Sequence, residues 1–422
     1  MRIYVPLVSR TRIVMTLLAL GIAPLFPSAH AQTFKVLYSF TGGADGGTPE
    51  AGLVFDAAGN LYGTTSGGGD AGCFNGTCGV VFKLSPGARG WTESVLHTFT
   101  GGSDGGNPFD SPLLDAAGNL YGTAEVGGVS CGQTYGCGVA LELTPGSSGW
   151  KETVLHSFNG GDGYYPVAAL TPDKRGNLYS TIPSGQVYEL TKGRSGWKET
   201  TLYTFDCSVS YRRGGEPNAA PILDAAGNLY GTTPICGSSG GDGTVFELLH
   251  GSWKEKTLHE FRFFDGANPE GGLVFDKAGN LYGTTETGGK FSQGTVFKLA
   301  PTAGGKWKET VLYSFRGGDD GKWPFSTPVF DKAGNLYGTT FRGGTSGCAG
   351  YGCGTVFKLT PTSGGHWKEK VLYAFKGGRD GSHPATGSLA IDGAGNLYGT
   401  AGLAGNAGCG GFGCGVVFEI TP

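Results

Sequence analysis

Several residue types and patterns are scarce in this 422-residue chain. It contains only 2 Met and 7 His, and no serine-hydrolase, zinc-binding or phosphate-loop motif occurs in it. Beyond the N-terminus no apolar run is long enough to span a bilayer. The formal net charge of −3 lacks the basic excess that attracts nucleic acids or anionic membranes. These absences argue against a helical membrane protein and against a nucleic-acid-binding protein.

Glycine, in contrast, is abundant. The chain has 82 Gly together with 12% aromatic and 38% hydrophobic residues. A disordered chain lacks such an aromatic content. Because glycine adopts positive φ without steric strain, this composition is typical of many short strands joined by tight turns.

Residues 1–31 have the pattern of a secretory signal. Three arginines lie within the first twelve residues, an apolar stretch follows, and Ala-His-Ala at 29–31 offers a cleavage site. The alternative is an uncleaved membrane anchor, but prolines interrupt the short apolar run. Cleavage removes three arginines and no acid, so the mature chain is more acidic. We therefore predict a secreted, extracellular or periplasmic protein, monomeric, with no transmembrane segment in the mature chain and no nucleic-acid partner.

Ten cysteines in an exported chain predict disulfide bonds. Four pairs are close in sequence, and the two remaining cysteines lie farther apart. Zinc binding is the alternative, but no histidine accompanies the short pairs and their spacing is not C-x2-C. The predicted pairs are Cys73–Cys78, Cys131–Cys137, Cys348–Cys353, Cys409–Cys414 and Cys207–Cys236.

One six-residue motif organises the chain. Gly-Asn-Leu-Tyr-Gly-Thr appears first at 59–64 and recurs about every 50–60 residues, once with Ser180 in place of the second glycine. In the fifth repeat, apolar or alternating segments at 273–275, 281–285, 294–299 and 308–315 predict four strands. Four strands per repeat and no helical pattern are typical of a β-propeller blade. The motif tyrosines are Tyr62, Tyr121, Tyr179, Tyr230, Tyr282, Tyr337 and Tyr398.

The two ends of the chain complement each other. A copy of the fourth-strand pattern at 36–40 precedes the first repeat, and the last repeat stops after its third strand at 416–420. The alternative is an open stack of two-stranded units. The complementary ends instead predict an all-β fold over 32–422, a seven-bladed β-propeller of four-stranded blades. The N-terminal strand completes the last blade and hides sheet edges that would otherwise aggregate.

The repeated units resemble a known family of tandem repeats. Residues 334–340 and 354–361 show both halves of the unit, and the pattern covers the whole mature chain. It is similar to the Gloeo/Verruco, or GloVer, repeat of bacterial exported proteins. This resemblance implies a secreted or surface β-propeller-like protein, and it implies no particular activity.

Two faces of the predicted ring differ. Antiparallel pairing places alternate connections at opposite ends of the strands. The short Asp-x-x-Gly-Asn turns share one face. The other face carries the loops between second and third strands and the blade crossings, which are the segments that lead from one blade to the next. All predicted disulfides belong to this loop-rich face, and loops on a rigid scaffold are where function usually resides.

An acidic residue recurs in the blade crossings. Carboxylates at the mouth of the central channel could bind Ca²⁺ or act as general acid and base on a glycan. The alternative is that Asp-Gly forms a turn in which the carboxylate caps its own backbone, and recurrence in every blade favours this structural role. The acidic positions are Asp45, Asp104, Asp162, Glu216, Asp265, Asp320 and Asp380.

Residues that interrupt the repeat are the predicted ligand-binding candidates. Exposed aromatic and arginine side chains supply flat apolar area and planar donors, which sugar and peptide recognition needs. Packing beneath the disulfide-bonded loops is the alternative role. The candidates are Tyr164, Tyr165, Tyr211, Arg212, Arg213, Trp323 and His383.

We therefore predict an exported binding or scaffold module for an extracellular glycan or protein. One alternative is a polysaccharide-directed hydrolase or lyase that uses carboxylates at the channel mouth, and another is a purely structural surface protein. Three of the seven histidines replace the tyrosine of the fourth strand, so no catalytic histidine is predicted and the sequence favours a protein that is not an enzyme. No cofactor is predicted beyond the Ca²⁺ that the acidic positions could bind.

Overall fold

Short strands dominate the part of the chain that the structure describes. The computed structural model describes residues 1, 32–69, 73, 76–132, 134–207, 215–237, 241–384, 387–405 and 408–422. The predicted signal peptide lies outside these residues except for Met1, so it stays a prediction.

The strands pair into seven sheets, which we number as blades in chain order. Blade 1 contains β2 (Val54–Phe55), β3 (Leu61–Thr65), β4 (Val80–Gly87) and β5 (Gly90–Thr98). Blade 2 contains β6 (Leu113–Leu114), β7 (Leu120–Ala124), β8 (Val139–Gly146) and β9 (Gly149–Ser157). Blade 3 contains β10 (Thr171–Pro172), β11 (Leu178–Thr181), β12 (Gln186–Gly193) and β13 (Gly196–Thr204). Blade 4 contains β14 (Ile222–Leu223), β15 (Leu229–Thr233), β16 (Thr244–Leu249) and β17 (Lys254–Glu260).

The remaining blades follow the same order. Blade 5 contains β18 (Val274–Phe275), β19 (Leu281–Thr285), β20 (Thr295–Pro301) and β21 (Trp307–Ser314). Blade 6 contains β22 (Val329–Phe330), β23 (Leu336–Thr340), β24 (Thr355–Pro361) and β25 (Trp367–Ala374). Blade 7 contains β26 (Ser382–Pro384), β27 (Ala390–Ile391), β28 (Leu397–Leu403), β29 (Val416–Thr421) and β1 (Thr33–Ser39). Two short 3-10 helices among the described residues span Ser363–Gly365 and Cys409–Gly411.

The N-terminal strand closes the ring. Strand β1 pairs antiparallel with β29, and Phe34 lies opposite Ile420 in this ladder. The four-stranded core of the last blade therefore takes β27, β28 and β29 from the C-terminal part of the chain and β1 from the N-terminal part, while the short strand β26 also pairs with β28. The predicted seven-bladed propeller and its closure are confirmed.

In six blades the last threonine of the repeated motif donates a hydrogen bond to the next blade. The Thr64 hydroxyl of blade 1 donates to the Asp110 carbonyl of blade 2 at 2.9 Å. The bond from Thr400 to the Ala51 carbonyl, at 2.7 Å, joins blade 7 to blade 1. Since a buried hydroxyl is stabilised only when it has a partner, these bonds also fix the rotation between blades. The equivalent bonds that join blades 2 to 6 in order are Thr123–Ala168, Thr181–Ala219, Thr232–Gly271 and Thr284–Ser326.

The backbone before the first strand of blade 1 is crowded by both neighbouring blades. A Cβ on Gly52, which precedes β2, would lie 2.6 Å from the Ser111 Oγ of blade 2 and 2.7 Å from the Ser388 carbonyl of blade 7. Only glycine fits between two neighbouring blades at this distance.

The turn between first and second strands is built around one carboxylate. Asp56 accepts hydrogen bonds from the backbone N–H groups of Ala58 and Asn60, the Asn60 amide and the Tyr62 hydroxyl, at 2.6–3.0 Å. Burial alone would raise the pKa of Asp56, but these hydrogen bonds lower it. The motif Asn and Tyr therefore serve this turn and not a ligand.

The repeat tryptophans pack between blades. The Trp150 ring of blade 2 lies 6.3 Å from the Tyr62 ring of blade 1, edge to face. The same contact recurs in five further pairs, so these tryptophans join blades and do not form a binding belt. The five pairs are Tyr121–Trp197, Tyr179–Trp253, Tyr230–Trp307, Tyr282–Trp367 and Tyr398–Trp91.

Candidate functional site

The loop-rich face is held together by disulfides and short bridges. All five predicted cysteine pairs are confirmed, with Cα atoms 5.0–6.1 Å apart. Isolated β-bridges pair each of several crossings with the following loop, for example Gly106 with Val126 and Lys322 with Arg342. Crossings and loops therefore form one continuous surface.

A ring of strained residues lies on this face, one in each crossing. Each member has positive φ and directly precedes a proline, and none is glycine. Such backbone conformations are rare for residues with a Cβ and cluster at functional sites. We call this set the pre-proline ring. Its members are Thr48 (φ 56°), Asn107 (52°), Tyr165 (62°), Glu216 (55°), Asn268 (55°), Trp323 (58°) and His383 (55°).

Four of the seven members of the pre-proline ring bond to a disulfide loop of the preceding blade. The Tyr165 N–H donates to the carbonyl of Cys137 in the preceding blade at 3.0 Å, and the Asn107 N–H donates to Cys78 at 2.8 Å. His383 and Thr48 make the same bond to Cys353 and Cys414 at 2.8 Å. In each local pair the carbonyl group of the second cysteine is the acceptor. Each of these short disulfide loops therefore holds one pre-proline residue of the next blade.

A groove of about 880 Å³ opens on this face at blades 1–3. Three pre-proline residues, Thr48, Asn107 and Tyr165, line it. The other side chains that bear on its chemistry are Phe109, Glu125 and Tyr135. Tyr135 is 42% exposed. This volume lies within the range of small-ligand sites, and the lining combines aromatic area with an amide and a carboxylate.

Two partly buried glutamates, of which one lines the groove and the other lies beside it, were missed from the sequence. Burial raises the pKa of Glu50 to about 7, although a hydrogen bond from Ser66 lowers it, and Glu125 adds to the rise. Burial also raises the pKa of Glu125. Glu50 follows the proline of its crossing and Glu125 follows the motif strand. The position of each glutamate directly after a proline or after the motif strand is the sequence signal that could have indicated it.

A second pair of glutamates occupies the same two positions near blade 5. Burial raises the pKa of Glu270, while a hydrogen bond from Asn218 lowers it and Glu216 raises it further. Burial and Glu270 together raise the pKa of Glu286. The structure thus places Glu216 in the pre-proline ring, near Glu270, and not in the turn that holds the crossing aspartates.

Those aspartates are bonded within their own crossings. Asp45 accepts from the Tyr38 hydroxyl at 3.0 Å and from the Thr41 N–H at 2.8 Å. The six carboxylates are therefore turn acceptors in every crossing except the one into blade 4, and no hydrogen bond joins two of them among the described residues. Asp162, Asp320 and Asp380 bond to the fourth-strand aromatic in the same way, through His156, Tyr313 and Tyr373. The Nε2 atoms of His97 and His259 lie 3.5 Å and 3.4 Å from the carboxylates of Asp104 and Asp265, and neither makes a hydrogen bond within the part of the chain that the structure describes.

One of these turns could hold a metal ion. His156, Asp162 and Glu199 offer ligand atoms that all lie within 4.8 Å of one another. Imidazole and carboxylate donors suit several divalent ions. In the structure, however, the His156 Nε2 lies 2.9 Å from the Asp162 carboxylate and the two groups satisfy each other.

The remaining ligand-binding candidates occupy different surroundings. Tyr164 is 37% exposed, and its ring lies 5.3 Å from the Tyr165 ring. Trp323 and His383 belong to the pre-proline ring, where the Phe341 ring contacts His383 at 4.6 Å. The candidates Tyr211, Arg212 and Arg213 lie outside the described residues.

An exposed aromatic lies inside three of the disulfide loops and was also missed. In each case it stands two residues before the second cysteine. The residues are Tyr135 (42% exposed), Tyr351 (57%) and Phe412 (75%). The fixed spacing from a cysteine is the signal that could have indicated them.

The repeats of this chain match a known protein family. The sequence matches the Gloeobacter/Verrucomicrobia repeat over residues 25–186, 129–351 and 217–422. The chain belongs to the Gloeobacter/Verrucomicrobia repeat family. The resemblance seen in the sequence is therefore confirmed, and a search of curated proteins finds no match to this member of the family.

Solved structures resemble this repeat protein in fold alone. The extracellular domain of a putative one-component system from B. thetaiotaomicron is 12% identical, with a TM-score of 0.54, over 93% of this chain. The chain spans only 42% of the length of that structure. A putative 6-phosphogluconolactonase from Bacteroides uniformis is 10% identical, with a TM-score of 0.47, over 76% of this chain and 84% of that one. Among the described residues no helix is long and apolar enough to span a membrane.

The strain in the pre-proline ring leads to a stability prediction. Thr48 is β-branched, so positive φ is especially unfavourable for it, and Thr48→Gly should raise the free energy of unfolding by about 1 kcal/mol. The control Thr92→Gly, in the regular strand β5, should lower it by about the same amount. Urea unfolding of both variants measures the difference. Destabilisation by Thr48→Gly would show that the Thr48 side chain contributes more to folding than its backbone strain costs.

Proposed function

We propose that this protein is an exported binding module whose loop-rich face recognises an extracellular glycan. The observation that carries the proposal is the groove of about 880 Å³ lined by Thr48, Asn107 and Tyr165. Five disulfides support an exported protein, because such bonds persist in oxidising compartments. A rigid scaffold carrying variable side chains at equivalent positions is the arrangement that recognition proteins use.

The side chains that line the groove suit the binding of a carbohydrate better than the binding of a flat protein surface. The Tyr165 and Tyr135 rings offer area on which a sugar ring can stack. Glu125 and neighbouring backbone groups provide acceptors for sugar hydroxyls. A concave site with few polar groups fixes the orientation of a small ligand.

Hydrolysis or elimination on the same glycan is the second candidate function. It is favoured by Glu50, whose pKa burial raises to about 7, beside Glu125. Two carboxyl groups in different environments can act as acid and base. Glu50, whose pKa burial raises to about 7, would act as the acid, and Glu125, which lines the groove, would act as the base.

The test is a glycan-array screen of the mature protein, residues 32–422, with and without Ca²⁺. We expect binding that Tyr165→Ala weakens at least about tenfold, since a central aromatic contact is worth more than about 1 kcal/mol. The control Phe264→Ala removes an aromatic that is 71% exposed and lies in the blade 4–5 crossing. It should leave binding unchanged.

Further outcomes separate the candidates. Product analysis by mass spectrometry detects turnover, and turnover abolished by Glu50→Gln or Glu125→Gln would establish the enzyme. Removal of Ca²⁺ with EDTA should not change binding, because the crossing aspartates already accept hydrogen bonds in their turns. No binding to any glycan, or full binding by Tyr165→Ala, would overturn the proposal.

A further inference from the structure

Two cationic side chains lie side by side on the loop-rich face at blade 6. Lys322, in the crossing, and Arg342, after the motif strand, form an antiparallel bridge. The Lys322 N–H donates to the Arg342 carbonyl at 2.8 Å, and the Arg342 N–H returns the bond at 3.1 Å. Residues directly opposite in an antiparallel pair project to the same side, so both charges face the same region.

Aromatic rings surround these cations. The Arg342 guanidinium lies 5.2 Å from the Trp323 ring centroid and 4.9 Å from that of Tyr351. The Lys322 ammonium lies 5.4 Å and 5.8 Å from the same two rings. Cation–π attraction therefore holds both cations in place, although their like charges repel.

No carboxylate neutralises this pair in the part of the chain that the structure describes. The ion pairs found there involve neither Lys322 nor Arg342. The Arg342 Nε is buried and has no hydrogen-bond partner. A buried guanidinium nitrogen without a partner is unfavourable, so this site is incomplete without an acceptor.

The titratable groups beside the two cations do not pair with them. His383 faces Arg342, and burial and the guanidinium both lower the pKa of His383, which is therefore neutral near pH 7. The nearby carboxylate of Asp320 accepts from the Tyr313 hydroxyl at 2.8 Å and from the Arg316 N–H at 2.9 Å. Asp320 is therefore held in its own turn, and the ion pairs among the described residues do not join it to Lys322 or Arg342.

We propose that Lys322, Arg342 and the Tyr351 ring form a subsite for an acidic sugar residue of a glycan. The sugar carries a carboxylate or a sulfate group, and this anion accepts hydrogen bonds from the two cations. Arginine presents planar paired donors that match a carboxylate or sulfate. Tyr351 is 57% exposed, and the Cys348–Cys353 loop holds its ring where the sugar would stack.

A glycan fits this site better than a phosphopeptide does. The anion site lies beside the exposed Tyr351 ring, and sugar rings stack on such surfaces. The inference rests on the proposed function because both concern glycan recognition by the loop-rich face. The two can fail separately, since the groove at Tyr165 and this subsite contain different residues.

The test compares three probes on the mature protein by calorimetry. The probes are an oligogalacturonate, its methyl ester and a sulfated oligosaccharide. We expect one or both anionic probes to bind at least tenfold more tightly than the neutral ester. Their affinity should fall as the salt concentration rises, because screening weakens charge pairing.

Matched variants locate the site. The double variant Lys322→Gln, Arg342→Gln should abolish the preference for anionic probes. Tyr351→Ala should lower the affinity for each anionic probe severalfold. Lys277→Gln removes an exposed charge on the opposite face and should change nothing. Circular dichroism confirms that each variant is folded. Tyr165→Ala should retain the anionic preference.

Defined outcomes overturn the inference. Equal affinity of the neutral ester and of both anionic probes would do so, as would an anionic preference that survives in the double variant. Inorganic sulfate or a phosphopeptide that binds as tightly as the sulfated oligosaccharide would reassign the site to another ligand. Absence of any glycan binding would instead defeat the proposed function together with this subsite.

Discussion

Phe40→Ala should lower the free energy of unfolding by about 3–5 kcal/mol, the usual effect of emptying a large buried aromatic site. Phe40 follows the closing strand β1 and is fully buried. Its ring packs at 5.1 Å against Phe82 of blade 1, and its N–H donates to Gly415 of blade 7. Phe40 therefore contacts both blades at the closure, blade 1 through its ring and blade 7 through its backbone N–H. Guanidinium unfolding followed by circular dichroism measures the effect.

A surface phenylalanine provides the control for ring closure. Phe412→Ala removes a ring that is 75% exposed and should change stability by less than about 0.5 kcal/mol. If Phe40→Ala behaved like this control, β1 would not be packed between blades 7 and 1 in solution. The three-plus-one closure would then be wrong.

Asp110→Ser should raise the free energy of unfolding by about 1–3 kcal/mol at pH 7.5, because a buried carboxylate with an unpaired oxygen is costly. Asp110 is fully buried, and its Oδ1 has no hydrogen-bond partner. Its Oδ2 accepts from the Thr123 N–H at 2.8 Å. Ser326 makes the equivalent bond to the Thr339 N–H at 2.9 Å in blade 6, so serine fits this position.

The stability gained by Asp110→Ser should increase as pH rises. Burial raises the pKa of Asp110 well above its usual range, against the hydrogen bonds from Thr123 that lower it. The folded protein therefore retains a proton that the unfolded chain releases above about pH 4. Stability of the parent protein consequently falls as pH rises from that value, and the serine variant lacks this loss.

Urea unfolding at pH 4.5 and 7.5 tests this dependence. The advantage of Asp110→Ser should be large at pH 7.5 and should shrink at pH 4.5. Asp319→Ser, at an exposed position, should have little effect at either pH. An Asp110→Ser protein that is no more stable than the parent at pH 7.5 would contradict the prediction, and would indicate that its carboxyl group has a partner in solution.

Local sequence predicted most of the architecture. The Asp-x-x-Gly-Asn-Leu-Tyr pattern contains every group of its own turn, since Asp56, Asn60 and Tyr62 bond to one another within seven residues. The pairing of Cys73 with Cys78 is likewise a short-range feature. The ring closure followed from the complementary ends of the chain. These predictions succeeded because the interactions involved are short in sequence or repeat in register.

The candidate site was only partly predictable. Trp323, His383 and Tyr165 were identified because they interrupt the repeat, and the structure places all three in the pre-proline ring. The role of Lys322 with Arg342 was not visible, since their side chains meet only through a bridge between a crossing and a loop. The same holds for Glu50 and Glu125, which belong to different blades.

The sequence by itself determined the number of blades, the turn chemistry, the disulfide pairs and the faces on which loops lie. Each depends on residues that are near in sequence or equivalent between repeats. Only the tertiary structure decided which variable side chains meet, because neighbouring blades bring together residues that are dozens of positions apart. It also decided which carboxyl groups are buried: Asp110 and Glu50 are desolvated by other blades, whereas Asp56 is held within its own turn.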